Sequence, residues 1–416
     1  MKSAITALLM ALLLCGCAAR AEPLQKETEP SVPEVPELQE EEQSEEPSPP
    51  PEDTVTIKGS SVSITLGRPQ SYDSICLQGL SKAGELTIRI NDGEIYTQEN
   101  ASSLRYCYLG PQAAENISVQ LPEGGSVEQF SLSSPKEGLL SAYLPYNAFT
   151  ESMLTDGRLQ TLDRLTVNVG CYWRADGSLE VKSSLSDMLS QIHDANPELE
   201  IFCTINPKAG GAAAILNKES RTVLIQNMLD FCQTHSLAGV DIDWEFPAED
   251  QWDEFSDLII ELSQSLAESD RSLSLAFYPQ DITLSPEAVT AIDTVHMMAY
   301  DQFDEQGRHS TYETAVEAID YFLALGFDAG QLCLGIPAYG RPLSAEALWP
   351  LYNEYADQLA DGTNLLGVYY FNSPQLAQDK AVLARERELQ GVFFYHLGCD
   401  SADDSSLIHA VSQIFQ

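Results

Sequence analysis

"LAGVDIDWEFP", residues 237–247, sets three acids, Asp241, Asp243 and Glu245, at alternate positions. Ile242 and Trp244 stand between them, and Leu237 and Val240 come before. A period of two is a strand signature, because successive side chains point to opposite faces. Over 239–246 the three acids share one face, with neighbours roughly 6–7 Å apart, two strand rises. Ile242, Trp244 and Phe246 line the other face. A surface strand would turn these acids to water. The surrounding chain decides whether this one does.

From about Gly138 onward apolar, strand-like runs recur: "LLSAYLPY", "LTVNVGCYW", "LEIFCTI", "AGVDIDWEF", "LSLAFYP", "VHMMAYD", "LCLGIPAYG" and "GVFFYHLG". Helical stretches separate several of them. "DEFSDLIIELSQSLAES" places Phe255, Leu258, Ile259, Leu262 and Leu266 at helical spacing. "YETAVEAIDYFLALG" does the same with Val316, Ile319, Phe322 and Leu323 and stops at Gly326. Eight strands alternating with helices predict a (β/α)8 TIM barrel over 136–416. Its strands are buried on both faces, so the three acids point into the barrel. Glu245 falls at the C-terminal end of its strand, where sites of this fold lie.

The rest of the chain divides by composition. The first residues, "MKSAITALLMALLLCGCAAR", join Lys2 to an apolar run and then small residues, an export signal too short for a comfortable membrane span. Residues 17–53 are rich in Pro and Glu and read as a disordered linker. Residues 54–135 alternate in short runs, with a hairpin signal in "NDG" at 91–93, and predict a small β-sandwich-like domain acting as a spacer or a carbohydrate holder. Cys76 and Cys107 lie in this segment and are able to pair in an oxidising exterior. Cys171, Cys203 and Cys333 sit in apolar runs and read as small buried hydrophobes. The net charge of −41 excludes a nucleic-acid surface. Six histidines show no metal spacing, and there is no phosphate-cradling Gly loop, so neither a metal nor a cofactor is expected. The "DSADDS" run with Asp400 reads as a solvated loop.

Inward carboxylates are unfavourable unless neutralised. With 22 Lys and Arg against 63 acids, cationic partners are scarce, Arg341 being one option. Shared protons are the alternative, since two close, buried carboxyls resist ionising together. A carboxyl protonated near neutral pH is what a general acid requires.

At this point the residues carry a resemblance. "AGVDIDWEFP" resembles the DGxDxDxE strand of glycoside hydrolase family 18, the chitinase and endo-β-N-acetylglucosaminidase family, with Ala238 replacing the first Asp. "DGSLEV" from Asp176, "MAYD" at 298–301, "LGIPAYGR" at 334–341 and "GVFFYHLGCD" at 391–400 resemble further family segments in the same order. The resemblance implies a substrate-assisted retaining hydrolase. In it Glu245 is the acid, Asp243 orients the substrate's acetamido group, Asp241 shares a proton with Asp243, and Tyr300 holds the acetamido oxygen. Tyr143, Met298, Asp301, Tyr339 and Tyr395 are implied to bind substrate. Tyr395 stands where the family usually has Trp, and "TINPKAGG" at 204–211 departs from the family's Ser-x-Gly-Gly. The short segment from Arg341 to Tyr369 leaves little room for the extra α+β domain of deep-groove relatives, and implies an open groove. In "EALWPLYNEY", Trp349, Tyr352 and Tyr355 are candidates for stacking on sugar or for packing helices.

The ending "LLCGC" resembles a bacterial lipobox, which implies cleavage after Gly16, a lipid on Cys17, and a location outside the cytoplasm on the membrane or cell surface; an ordinary secreted protein is the alternative. The expected partner is a glycan containing β-1,4-linked N-acetylglucosamine (chitin, an N-glycan core or peptidoglycan), handled by a monomer. A catalytically inactive glycan-binding lipoprotein on the same fold is the competing reading.

Overall fold

The computed structural model describes residues 54–58, 60–78, 81, 85–91, 94–98, 106–127, 129–133, 138–360 and 362–415. The signal segment, the linker and Cys17 lie outside them.

Eight parallel strands close into a barrel: Leu139–Pro145, Arg164–Trp173, Glu200–Pro207, Gly239–Ile242, Ser272–Phe277, Thr294–Met297, Leu332–Pro337 and Gly391–Tyr395. Each pairs with the next, and the eighth pairs with the first, so no edge remains. The eight apolar runs of the sequence are these strands. Helices pack outside them on the faces expected. Trp252–Ala267 buries Phe255, Leu258, Ile259, Leu262 and Leu266, and Tyr312–Ala324 buries Ile319 and Phe322 and leaves Val316 and Leu323 half-buried. Gly326 follows that helix at φ +96°, a conformation that stops a helix and suits glycine.

Between the seventh and eighth strands the chain forms only a small three-stranded antiparallel sheet, made by Arg341–Pro342, Leu365–Leu366 and Tyr369–Tyr370. Ahead of the barrel, six strands between Thr54 and Ser133 make one connected antiparallel sheet. Leu86–Ile90 and Glu94–Gln98 form the hairpin around "NDG", with Asn91 at φ +49°. Val62, Ile64, Ile75, Leu77, Ile88 and Val119 are in the sheet's own core. Cys76 lies opposite Tyr106 and Cys107 opposite Ile75 in neighbouring strands, and the side chains of both cysteines lie outside the described residues.

Two expectations need correction. The fourth strand leaves the ladder after Ile242, not at 246. The Asp243 N–H donates instead to the Asn206 side-chain Oδ1 at 2.8 Å. Freed from the ladder, the chain turns Phe246 outward, where it is 64% exposed rather than packed with Ile242. Asp400, read as part of a solvated loop, is buried. Its carboxylate accepts bonds from Ser406 Oγ and the Leu407 N–H, tying down the helix Leu407–Ser412.

The approach of the fourth strand to its neighbours depends on Gly239. A Cβ there would collide with the Ser272 carbonyl oxygen and the Phe202 ring. Gly239→Ala should therefore destabilise the barrel by about 1–3 kcal/mol, the usual range for overpacking, read as a lowered melting temperature. An unchanged melt would mean that the strand is not held this closely.

Candidate active site

The site grows from strand register. Thr204, Asp241 and Ser274 are direct register partners on the third, fourth and fifth strands, so all three point to the barrel interior. The Asp241 carboxylate is fully buried. It accepts hydrogen bonds from Thr204 Oγ1 at 2.7 Å, Ser274 Oγ at 2.6 Å and the Tyr143 hydroxyl at 3.0 Å. Hydroxyls thus take the place of the cations that this chain lacks. Arg341 lies elsewhere, paired with Asp301 at 2.5 Å.

Above this layer Asp243 has a buried oxygen, Oδ1, without a hydrogen-bond partner. Burial, reinforced by the charges of Asp241 and Glu245, pushes its carboxyl well above the usual range. Burial and then the charge of Asp301 raise Glu245 as well. Asp301 goes the other way. Burial alone would raise it, but His309 and Arg341 beside it hold it below the usual carboxylate range. Tyr339 adds a hydrogen bond to Asp301 at 3.1 Å. Four neighbouring carboxylates therefore sit in environments that push their proton affinities apart, the arrangement in which an acid and its helpers are separated.

Asp243, Glu245, Tyr300, Asp301, Met298, Tyr339 and Tyr395 all line one cavity of about 540 Å³. Of the residues singled out in the sequence, Asp241 and Tyr143 do not; they lie beneath it, where the Tyr143 hydroxyl is bound to Asp241. Tyr395 and Tyr300 stand side by side with ring centres 5.9 Å apart. The cavity also takes in Phe246, Tyr278, Trp349, Leu351, His396 and Cys399. Trp349 is half exposed, with the Arg341 guanidinium 4.7 Å from its ring centre. Tyr352 is core, its hydroxyl donating to the Ser405 carbonyl, and Tyr355 packs on Phe371. Of the three aromatics in "EALWPLYNEY", Trp349 alone lines the cavity. Ser274 was findable in principle, since it is the polar residue at the inward parity of "LSLAF". Trp349 and Phe246 had no such signal, because loop direction has no period.

A second chemistry is available for comparison. Cys399 Sγ lies 3.2 Å from His396 Nε2 at the cavity wall. Burial pushes the thiol up to about 11 and the imidazole down to about 4, so both stay neutral and no thiolate nucleophile forms. Among the described residues no group of three or more His, Cys, Asp or Glu is arranged to hold a metal ion.

A closed parallel barrel with graded carboxylates at the C-terminal rim of its fourth strand is the frame of a barrel hydrolase. Residues 139–400 match the family described as "Glycosyl hydrolases family 18", and the chain belongs to that family. Probable chitinase 10 of Drosophila melanogaster is 26% identical over 159 residues, covering 31% of this chain and 7% of that protein. Probable chitinase 2 of the same organism is 21% identical over 214 residues, 44% of this chain and 42% of that one. The alignments thus span less than half of these relatives. Among solved structures, the GH18 chitinase ChiB from the chitin utilization locus of Flavobacterium johnsoniae superposes with a TM-score of 0.61 at 23% identity. That superposition covers 67% of this chain and 94% of the other, and it bears on the fold.

The raised proton affinity of Asp243 has a consequence for stability. Unfolded, the group titrates near 3.8; folded, it keeps its proton to higher pH. Between the two values the native state binds the extra proton, so this group's contribution to stability declines as pH rises. Asp243→Asn is neutral in both states and lacks that decline. Thermal melts should show the variant gaining on the wild type as pH is raised from about 4 to about 8. A difference independent of pH would mean that Asp243 ionises normally in the fold.

Proposed function

We propose that this protein is a glycoside hydrolase acting on glycans of β-1,4-linked N-acetylglucosamine by a retaining, substrate-assisted route. The observation that carries the reading is the placement of Asp243 and Glu245, both with raised proton affinity, in one aromatic-walled cavity. Glu245 protonates the glycosidic oxygen as the bond to the leaving sugar breaks. The substrate's own acetamido oxygen attacks the anomeric carbon and closes an oxazolinium ring. Asp243 holds the acetamido N–H, and Tyr300 holds the attacking oxygen. Glu245, now a carboxylate, takes a proton from the water that reopens the ring. Tyr395, Trp349 and Phe246 offer apolar faces for sugar rings. In the same reading the protein works outside the cytoplasm, anchored by lipid on Cys17, and Cys17→Ser should release it from the membrane fraction.

Glu245→Gln cannot donate the proton and should lose about 10²–10⁴-fold in kcat on chitin oligosaccharides while still binding them. Its wild-type counterpart should lose activity as pH rises through the raised pKa of Glu245, because the reactive form is the protonated one. Trp349→Ala should raise KM more than it lowers kcat, as expected for a stacking platform. Product analysis by mass spectrometry on chitin, N-glycan cores and peptidoglycan identifies the polymer. Binding without any turnover by the wild type on all three would overturn the enzymatic reading.

A further inference from the structure

His296 projects from the sixth strand into the barrel interior and is fully buried. Its Nδ1 lies 2.8 Å from the Tyr143 hydroxyl and 3.5 Å from Asp241 Oδ1, and its Nε2 is buried with no partner. The groups facing it are Tyr143 from the first strand, Asp241 from the fourth, Phe393 from the eighth with its ring centre 4.9 Å away, Cys333 in register on the seventh, and the Arg164 charge from the second.

One proton must be assigned among three groups. The Tyr143 hydroxyl has a single proton and two neighbours, Asp241 and His296. If it donates to His296, the phenol oxygen and the Asp241 carboxylate face each other at 3.0 Å with no proton between them. The imidazole N–H would then sit on Nε2, where no acceptor exists. If it donates to Asp241, the phenol oxygen accepts from Nδ1–H, and Nε2 keeps only a lone pair. The second arrangement leaves no donor unsatisfied. Burial favours the neutral imidazole and the neutral phenol that it requires.

We infer that His296 carries its proton on Nδ1 and so fixes the Tyr143 hydroxyl as a donor to Asp241, which keeps Asp241 an acceptor on all sides and leaves the proton of the acid pair on Asp243. His296 is thus a positioning residue that acts through Tyr143, and its effect on turnover rests on the hydrolase reading above. The chain runs His296, Tyr143, Asp241, and ends at the cavity with Asp243. Thr204 and Ser274 complete the set of donors around Asp241.

Nitrogen NMR of the intact, ¹⁵N-histidine-labelled protein reads the tautomer without any substrate. A protonated Nδ1 with a bare Nε2 through the neutral range is expected, and a protonated Nε2 overturns the assignment. His296→Phe removes the donor, whereas His296→Gln offers an amide N–H to the same phenol oxygen. Carboxyl ¹³C titration of His296→Phe should show proton occupancy moving from Asp243 towards Asp241. In the same variant kcat should fall about tenfold, the effect of a one-unit change in proton affinity, with KM unchanged and the pH profile displaced. His296→Gln should recover most of both. Wild-type titration and pH profile in His296→Phe, or equal losses in Phe and Gln, overturn the inference. If His296→Phe does not fold, Tyr143→Phe removes the same bond to Asp241 and carries the same titration expectation. A protein without turnover on any glycan would sink the hydrolase reading, while the tautomer and carboxyl titrations would still decide this one.

Discussion

A carboxylate buried in the middle of a barrel, with no cation against it, is the constraint on which the rest of this structure turns. Asp241 is tolerable there because Thr204 and Ser274 are its register partners and Tyr143 reaches it across the barrel. An unsatisfied buried carboxylate is strongly unfavourable, and three hydroxyl donors offset that in hydrogen bonds. The negative site they maintain raises Asp243, the next acid on the strand. The chemistry proposed for the rim is in this sense set one layer below it.

Around the rim a second set of bonds keeps the loops in place. Asp301, at φ +62°, is gripped by Arg341 and Tyr339. Arg341 in turn lies over the rings of Phe303 and Trp349. Behind them Lys380 is wholly buried, its amine donating to the Ser310 carbonyl, Ser310 Oγ and Asn372 Oδ1 at 2.6–2.8 Å, and burial lowers its pKa to about 7. Ser310 Oγ passes a further bond to the Ala299 carbonyl, next to Tyr300. A helix on the outside of the barrel is thereby joined to the segment that carries two cavity residues. Such support matters because positioned groups lose effect when displaced by even 1 Å.

Much of this was legible in the chain. The eight apolar runs became the eight strands, since strands buried on both faces are apolar throughout and stand out against polar connections. The acids of 241–245 were recognisable by their period, and "MAYD", "LGIPAYGR" and "GVFFYHLGCD" by their order. What failed was of one kind. Phe246 continues the alternation of Ile242 and Trp244 in sequence but not in space, because the ladder ends at Ile242 and parity ends with it. Asp400 looked solvated among acids and serines, yet those serines bend back to bond it.

The sequence by itself determined the class of fold, the face shared by Asp241, Asp243 and Glu245, and the end of the barrel at which Glu245 emerges. These follow from periodicity, a local property that each segment carries alone. Tertiary structure decided which hydroxyls satisfy Asp241, that Arg341 answers Asp301 rather than the triplet, and that Trp349 faces the cavity while Tyr352 is core. Each of these depends on strand register or loop direction across long separations in the chain, where no local pattern records the partner and only the closed packing of the barrel brings the groups together.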